Sequence, residues 1–294
     1  MSKLQLRDRQ KGMIYIIISA FCFAWMNAFV RLAGDLPSIQ KSFFRNLVAF
    51  FFALIVLLRE HASFKPVKGA TPWLILRASA GTIGILCNFY AVGELDLSDA
   101  SILNKMSPFF AILFSCIILK ESLTWQQALI VVGALIGSLF VVKPTFANAE
   151  LIPSLIGLLG GLGAGLAYTV VRKLGQIGEN KSYIVFFFSG FSCLVTLPYL
   201  IFCYEPMTWQ QLVILLLAGL SAAGGQFSIT AAYCYAPARE ISVYDYTQII
   251  FAAALGYFLF DQIPDGWSVL GYVIIIAMAI IMYVYNNHAD KKAA

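Results

Sequence analysis

Lys105 and Asp245 are ionisable side chains set in stretches that are otherwise apolar, and a polar group in such surroundings is costly enough to mark a site. Their chemistry is complementary. Lys105 would attract an anionic group and Asp245 a cationic one, and Asp245, the one carboxylate well inside an apolar stretch, is also the candidate proton carrier. Amides at Asn27, Asn88, Asn104, Gln226 and Gln248 could hydrogen-bond a solute, while Trp25, Tyr168 and Tyr244 offer faces for cations or flat rings. As a set these ten residues suit a zwitterion, an amino-acid-like solute or a small aromatic molecule bound as substrate.

Catalysis is a poorer reading of the same chain. The only histidines, His61 and His288, fall in a loop and a tail, no two aspartates stand at catalytic spacing, and no glycine-rich loop follows a strand. Neither a metal site nor a cofactor is expected, and the chain is not expected to be an enzyme. Cys22, Cys87, Cys116, Cys193, Cys203 and Cys234 are scattered in apolar stretches with no C-x-x-C and read as small apolar filler. No basic run is interleaved with aromatics, so nucleic acid is not expected as a partner.

The elements that must position these groups follow from composition. Hydrophobic residues make up 60% of the 294, charged residues only 12%, and the mean hydropathy is +0.81. Soluble domains carry about 25% charged residues, so the chain reads as an all-α membrane protein embedded in the lipid bilayer. A span needs about 20 predominantly apolar residues, and ten stretches qualify: 12–32, 40–58, 71–92, 98–119, 124–142, 152–172, 182–203, 208–233, 242–260 and 266–285. Their length and all-round apolarity exclude an outer-membrane barrel. The first reads as an uncleaved span rather than a signal peptide.

With the N-terminus in the cytoplasm, inner loops and tails hold Lys3, Arg7, Arg9, Lys11, Arg59, Lys65, Lys68, Lys120, Arg172, Lys173, Lys181, Arg239, Lys291 and Lys292. The opposite side holds only Arg31, Lys41 and Lys143. The bias predicts that both termini are cytoplasmic. Five spans per half make a tandem duplication inverted, a transporter arrangement, with repeats at 12–142 and 152–285. A constant offset supports it, aligning Gly84 with Gly225, Ser101 with Ser242, Phe110-Ala111 with Phe251-Ala252 and Leu129 with Leu270.

Counting about 1.5 Å per residue puts Trp25, Asn27, Arg45, Asn88, Asn104 and Lys105 roughly 7 to 11 Å below the outer edge. Tyr168, Gln226, Tyr244, Asp245 and Gln248 fall roughly 5 to 10 Å above the inner edge. Two polar clusters on opposite sides of the midplane are therefore expected, with Lys105 and Asp245 roughly 15 Å apart. The plainer readings are that Lys105 snorkels, that Asp245 caps the ninth helix, and that Arg45 snorkels to the outer headgroups. Glu121 is expected to cap its turn or pair with Lys120. Tyr15, Tyr199, Trp209 and Tyr272 read as belt aromatics, and Gly157, Gly161 and Gly165, like Gly133 and Gly137, as close helix packing.

The stretch FYAVGELDLSDASILNKMSPFFAILFSCIILKESLTW over 89–125, with Pro108 and Glu121, resembles the EamA-type signature of the drug/metabolite transporter superfamily. Ala24-Trp25 and Ala167-Tyr168 resemble that family's opening helices, and Phe44-Arg45 the start of its second. The second half departs from the pattern, with Ile249 in place of the proline and Gln262 in place of the glutamate. The resemblance implies transport of amino acids, drugs, nucleotide-linked solutes or related metabolites. The expectation is a secondary transporter moving a small organic metabolite across a prokaryotic inner membrane by alternating access, proton-coupled or by exchange. A multidrug or organic-cation exporter and a nucleotide-derivative exchanger are the alternatives, an intramembrane enzyme the remote one. A monomer is the default and a homodimer the alternative.

Overall fold

In a computed structural model of the chain, residues 3–94, 103–142, 151–260 and 266–293 are described, and all the regular structure among them is helical. The long helices are α1 (Lys3–Leu32), α2 (Ser38–Arg59), α3 (Thr71–Glu94), α4 (Ser107–Ile118) and α5 (Trp125–Val142), then α6 (Leu151–Ile177), α7 (Lys181–Cys203), α8 (Trp209–Tyr235), α9 (Thr247–Phe260) and α10 (Gly266–Ala293). Among the described residues seven helices are long and apolar enough to cross a membrane, the seventh being the run Ala238–Phe260 that ends with α9. The shorter apolar helices Ser107–Leu119, Trp125–Gly137 and Val269–Tyr285 complete the bundle.

Local chemistry sets several boundaries. Asn180 starts α7 by accepting hydrogen bonds from the Ser182 and Tyr183 amides, and Thr208 with Gln211 forms a reciprocal capping box at the start of α8. Helix α6 stops at Ile177 because Gly178 turns left-handed at φ +87°, letting the Gly178 and Glu179 amides donate back to Gly175 and Leu174.

Two expected spans are interrupted. Helix α4 begins only at Ser107, with Pro108 in its first turn, so Lys105 and Met106 lie in the turn before it; residues 98–102 of that expected span lie outside the described residues. In the second half the chain passes from a four-residue helix, Ala238–Ile241, through a 3-10 turn, Ser242–Tyr246, before α9 begins. The expectation of continuous helices over 98–119 and 242–260 gives way to breaks at the polar positions.

Packing is reciprocal between the halves. Helix α1 lies on α8 and α3 on α6; α2 meets α7, α5 meets α10, and α4 on α6 is mirrored by α9 on α1. Exchanging the halves maps this pattern onto itself. Small residues permit the closest approaches, as the glycine spacing suggests. An added Cβ on Gly160 would stand 3.0 Å from the Asn88 amide nitrogen, and one on Gly163 2.8 Å from the Ala80 carbonyl oxygen, so α3 and α6 touch backbone to backbone. Gly133 and Gly137 likewise admit Met278 and Ile274 of α10. Hydroxyls then stitch the helices through carbonyls: Ser19 donates to Gly225 at 3.0 Å and Thr169 to Ala111 at 3.0 Å.

A Cβ at Gly165 would stand 2.6 Å from Phe110 Cβ and 2.9 Å from both the Ala111 nitrogen and the Ser107 oxygen. Gly165→Val is therefore expected to overpack the α4–α6 contact by about 1–3 kcal/mol or more, seen as a lower melting temperature in detergent. Gly266→Ala, with open space around it, should leave that temperature unmoved.

Candidate functional site

The breaks before α4 and α9 meet at the wall of a cavity with about 90 Å³ of free space. Its wall draws on both halves. Asn27, Asn88, Asn104 and Lys105 from the first meet Tyr168, Gln226, Asp245 and Gln248 from the second. Eight of the ten residues singled out from the sequence thus stand on one wall, where two separate clusters were expected.

Trp25 and Tyr244 are not among the wall residues. Trp25 packs its ring 5.4 Å from Phe29 on the same helix, and Tyr244 lines a separate small cleft with Arg9, Gln10, Met13, Glu240 and Tyr283. Tyr168 stacks on Tyr233, ring centroids 5.1 Å apart and planes 15° apart.

The expected separation of roughly 15 Å between Lys105 and Asp245 is wrong. Lys105 Nζ lies 3.5 Å from Asp245 Oδ2 and donates to Gln248 Oε1 at 2.7 Å, with the Lys105 and Asp245 side chains only 7% and 6% exposed. The depth count assumed straight helices along the membrane normal. Both residues instead sit in helix breaks, real helices tilt by about 20°, and a lysine's flexible four-carbon stem spans the rest. Lys105 therefore does not snorkel, and Asp245 is committed to an ion pair across the two halves rather than to a helix cap.

Arg45 overturns a second expectation. It is 2% exposed and turns inward onto the cavity wall, donating from Nη1 to Asn46 Oδ1 at 2.7 Å and from Nε towards Met26 Sδ at 3.4 Å. Asn46 in turn donates to Ser192 Oγ at 2.9 Å, which ties α2 to α7. A partner that fixes the guanidinium inside removes the reason to snorkel.

Arg77, inside the expected span 71–92, is a wall residue that has no role in the sequence reading. It is 2% exposed, lies with its guanidinium 4.0 Å from the centre of the Phe188 ring, and donates from Nη2 to Gln226 Oε1 at 3.0 Å. Its Nε and Nη1 are buried without a hydrogen-bond partner among the described residues. A side chain at Gly81, one helical turn on, would collide with Nη1 and with Phe188; the glycine leaves the space the guanidinium occupies. Three basic residues within otherwise apolar stretches, Arg45, Arg77 and Lys105, were the signal available.

A second set of charges ties the halves together away from the cavity wall. Arg172 of α6 pairs with Glu121 at 3.4 Å and donates to the Cys234 carbonyl at 3.1 Å, so Glu121 bonds across the halves rather than to Lys120. Arg239 reaches the Ser122 carbonyl and hydroxyl. These contacts lie at the end where α1 begins: Lys11 and Lys181 sit 5.1 and 3.6 Å from the Tyr235 ring centre. At the other end of α1, Asn27 is the one exposed wall residue among the described residues.

Comparison with known proteins agrees with this architecture. The model of the EamA-like transporter family matches twice, at residues 10–143 and 151–284. The pseudopaline exporter CntI of Pseudomonas aeruginosa (strain UCBPP-PA14) is 31% identical over 276 residues, 93% of this chain and 96% of that one. The S-adenosylmethionine uptake transporter of Rickettsia prowazekii is 25% identical, covering 98% of this chain and 97% of its own, and human solute carrier family 35 member G1 is 25% identical, covering 96% and 81%. A solved crystal structure with 12% identity superposes with a TM-score of 0.81 over 95% of this chain and 99% of the other. The two bacterial relatives are named as an exporter and an uptake transporter and the human one as a solute carrier, and this chain is a multi-pass membrane protein.

Because Lys105 and Asp245 are buried together, removing either partner strands the other, at a cost of about 3–5 kcal/mol. Lys105→Met and Asp245→Leu are each expected to lower the melting temperature strongly, and the double substitution to cost less than their sum. A double-mutant cycle on detergent unfolding reads the coupling, expected at about 0.5–3 kcal/mol; zero coupling would deny the pair.

Proposed function

The chain belongs to the EamA-like transporter family, and from that membership we propose a secondary carrier that moves a small organic metabolite through the cavity by alternating access. The observation that carries this reading is the wall itself. Polar groups from both halves converge on one space, bounded by helix breaks, in the manner of inverted-repeat carriers. We read the ties of Arg172 to Glu121 and of Arg239 to Ser122, which join the halves near the N-terminus, as the closed gate, and the exposed Asn27 as the open side. With the termini cytoplasmic, as the lysine and arginine bias indicates, the conformation faces outward across a plasma membrane.

The free space supports a small solute over a bulky one, since pockets that bury drug-sized molecules run to about 300–1,000 Å³. Amino-acid-like solutes therefore fit better than the substrates of a multidrug exporter. Direction is set by the coupling gradient rather than by the fold: relatives of similar coverage include one named for export and one for uptake. Asp245 is the wall carboxylate through which a proton gradient would couple, because protonation would release Lys105.

The direct assay reconstitutes the purified protein in liposomes and follows uptake from an isotopically labelled bacterial metabolite extract by mass spectrometry, with and without a pH gradient. Small organic solutes should enter protein-containing vesicles only; failure to enrich any solute, or steady single-channel currents, would defeat the carrier reading. Equal uptake with and without the gradient would leave exchange as the mode. Rocking also requires the closed end to open. In a background lacking the six native cysteines, Ser122→Cys with Arg239→Cys, joined by a reducible bifunctional reagent, should abolish uptake, and reduction should restore it. Undiminished uptake while cross-linked would show that this end need not move.

A further inference from the structure

The charged groups on the cavity wall do not balance. Among the described residues they are Arg45, Arg77, Lys105 and Asp245. Lys105 and Asp245 answer one another at 3.5 Å. Arg45 and Arg77 are each 2% exposed and neither has a carboxylate within ion-pair distance among the described residues. A buried charge with no counter-charge is strongly unfavourable, so two guanidinium groups beside one cavity favour negative charge within it.

The hydrogen-bond inventory agrees with the charge count. A guanidinium has five donors arranged as a planar fork that matches a carboxylate. On Arg45, Nη2 has no protein partner among the described residues, its neighbours Asn46 and Met26 taking Nη1 and Nε. On Arg77, only Nη2 is engaged, by Gln226, while Nε and Nη1 are enclosed without acceptors. Phe188 covers one face of the Arg77 plane, and its edge is the side on which acceptors are missing. The nearby amides of Asn88 and Gln226 can serve the polar remainder of a solute, and among the described residues the wall has no second carboxylate for a cation.

We propose that Arg45 and Arg77 form a paired anion site in this cavity and that the transported solute is a small organic acid with at least two carboxylates, an amino dicarboxylate included. This deepens the carrier reading and rests on it for the word transported. The Lys105–Asp245 pair then acts as the neutral flank of the site, with Lys105 available to a carboxylate whenever Asp245 is protonated.

The test compares solutes of one shape and different charge: glutarate against glutaramide and L-glutamate against L-glutamine, with choline as the cation. Binding to the full-length protein in detergent is read by thermal shift and by tryptophan fluorescence titration, at fixed ionic strength so that general screening is constant. Glutarate or L-glutamate should raise the melting temperature and the amides and choline should not. Arg45→Gln and Arg77→Gln should each weaken that binding by about tenfold or more, as loss of a charge-assisted hydrogen bond does, and Arg77→Lys should recover part of it. Without solute, Arg77→Gln should melt no lower than the parent, because it removes an unanswered charge; a purely structural arginine would give the opposite sign. If Arg77→Gln fails to fold, Arg45→Gln and Arg77→Lys carry the same comparison. Amides binding as well as acids, no acid binding at all, or wild-type acid affinity in both glutamine variants would each overturn the paired site while leaving the carrier intact. Acids that bind but are never moved in liposomes would instead overturn the carrier and leave the site standing.

Discussion

A charge inside hydrocarbon is costly unless it is answered, and the tie between the two halves of this bundle is organised around that cost. The Lys105–Asp245 contact joins the turn before α4 to the 3-10 turn before α9, so the two places where helical hydrogen bonding lapses are also where the halves are tied. Gln248 from the first turn of α9 completes the lysine's shell. The backbone groups freed by the breaks are tolerated in a membrane only because they face protein or a polar cavity. Interruption, charge and cavity are thus one feature rather than three.

The halves are alike in packing and unlike in chemistry. Under the offset that aligns Gly84 with Gly225, Asn104 falls on Asp245 and Lys105 on Tyr246, while Arg45 and Arg77 fall on Phe186 and Ala218. A polar residue therefore precedes the fourth helix of each half, but the surplus of positive charge belongs to the first half alone. Duplicated scaffolds of this kind keep the helix contacts that hold the bundle and let wall residues diverge.

Much of the fold was legible in the sequence because bilayer thickness fixes span length and because a run of apolar residues admits little but helix. Eight of the ten wall candidates could be named because polar groups are rare at such depth. Their mutual geometry could not. Depth counting treats each span as a straight rod, and it failed for Lys105 and Asp245, where Pro108 and the 3-10 turn bend the path. Arg45 and Arg77 were visible as residues but not as wall residues, because the partners that hold them, Asn46 with Ser192 and Phe188 with Gln226, come together only when α2, α3, α7 and α8 pack. Trp25 and Tyr244 were chosen for aromatic type, which says nothing about which side of a helix they occupy.

The glycines of α3 and α6 carry a mechanical consequence. Where Gly84, Gly160 and Gly163 meet, peptide groups press against peptide groups with no rotamers between them. Interlocked side chains resist small rotations because each must leave its well before the next can be entered. A seam of bare backbone has no such teeth, so it behaves as a smooth bearing: the helices can turn a few degrees about their contact while the contact persists. The rest of the bundle can then change shape around a hinge line that is tight without being locked.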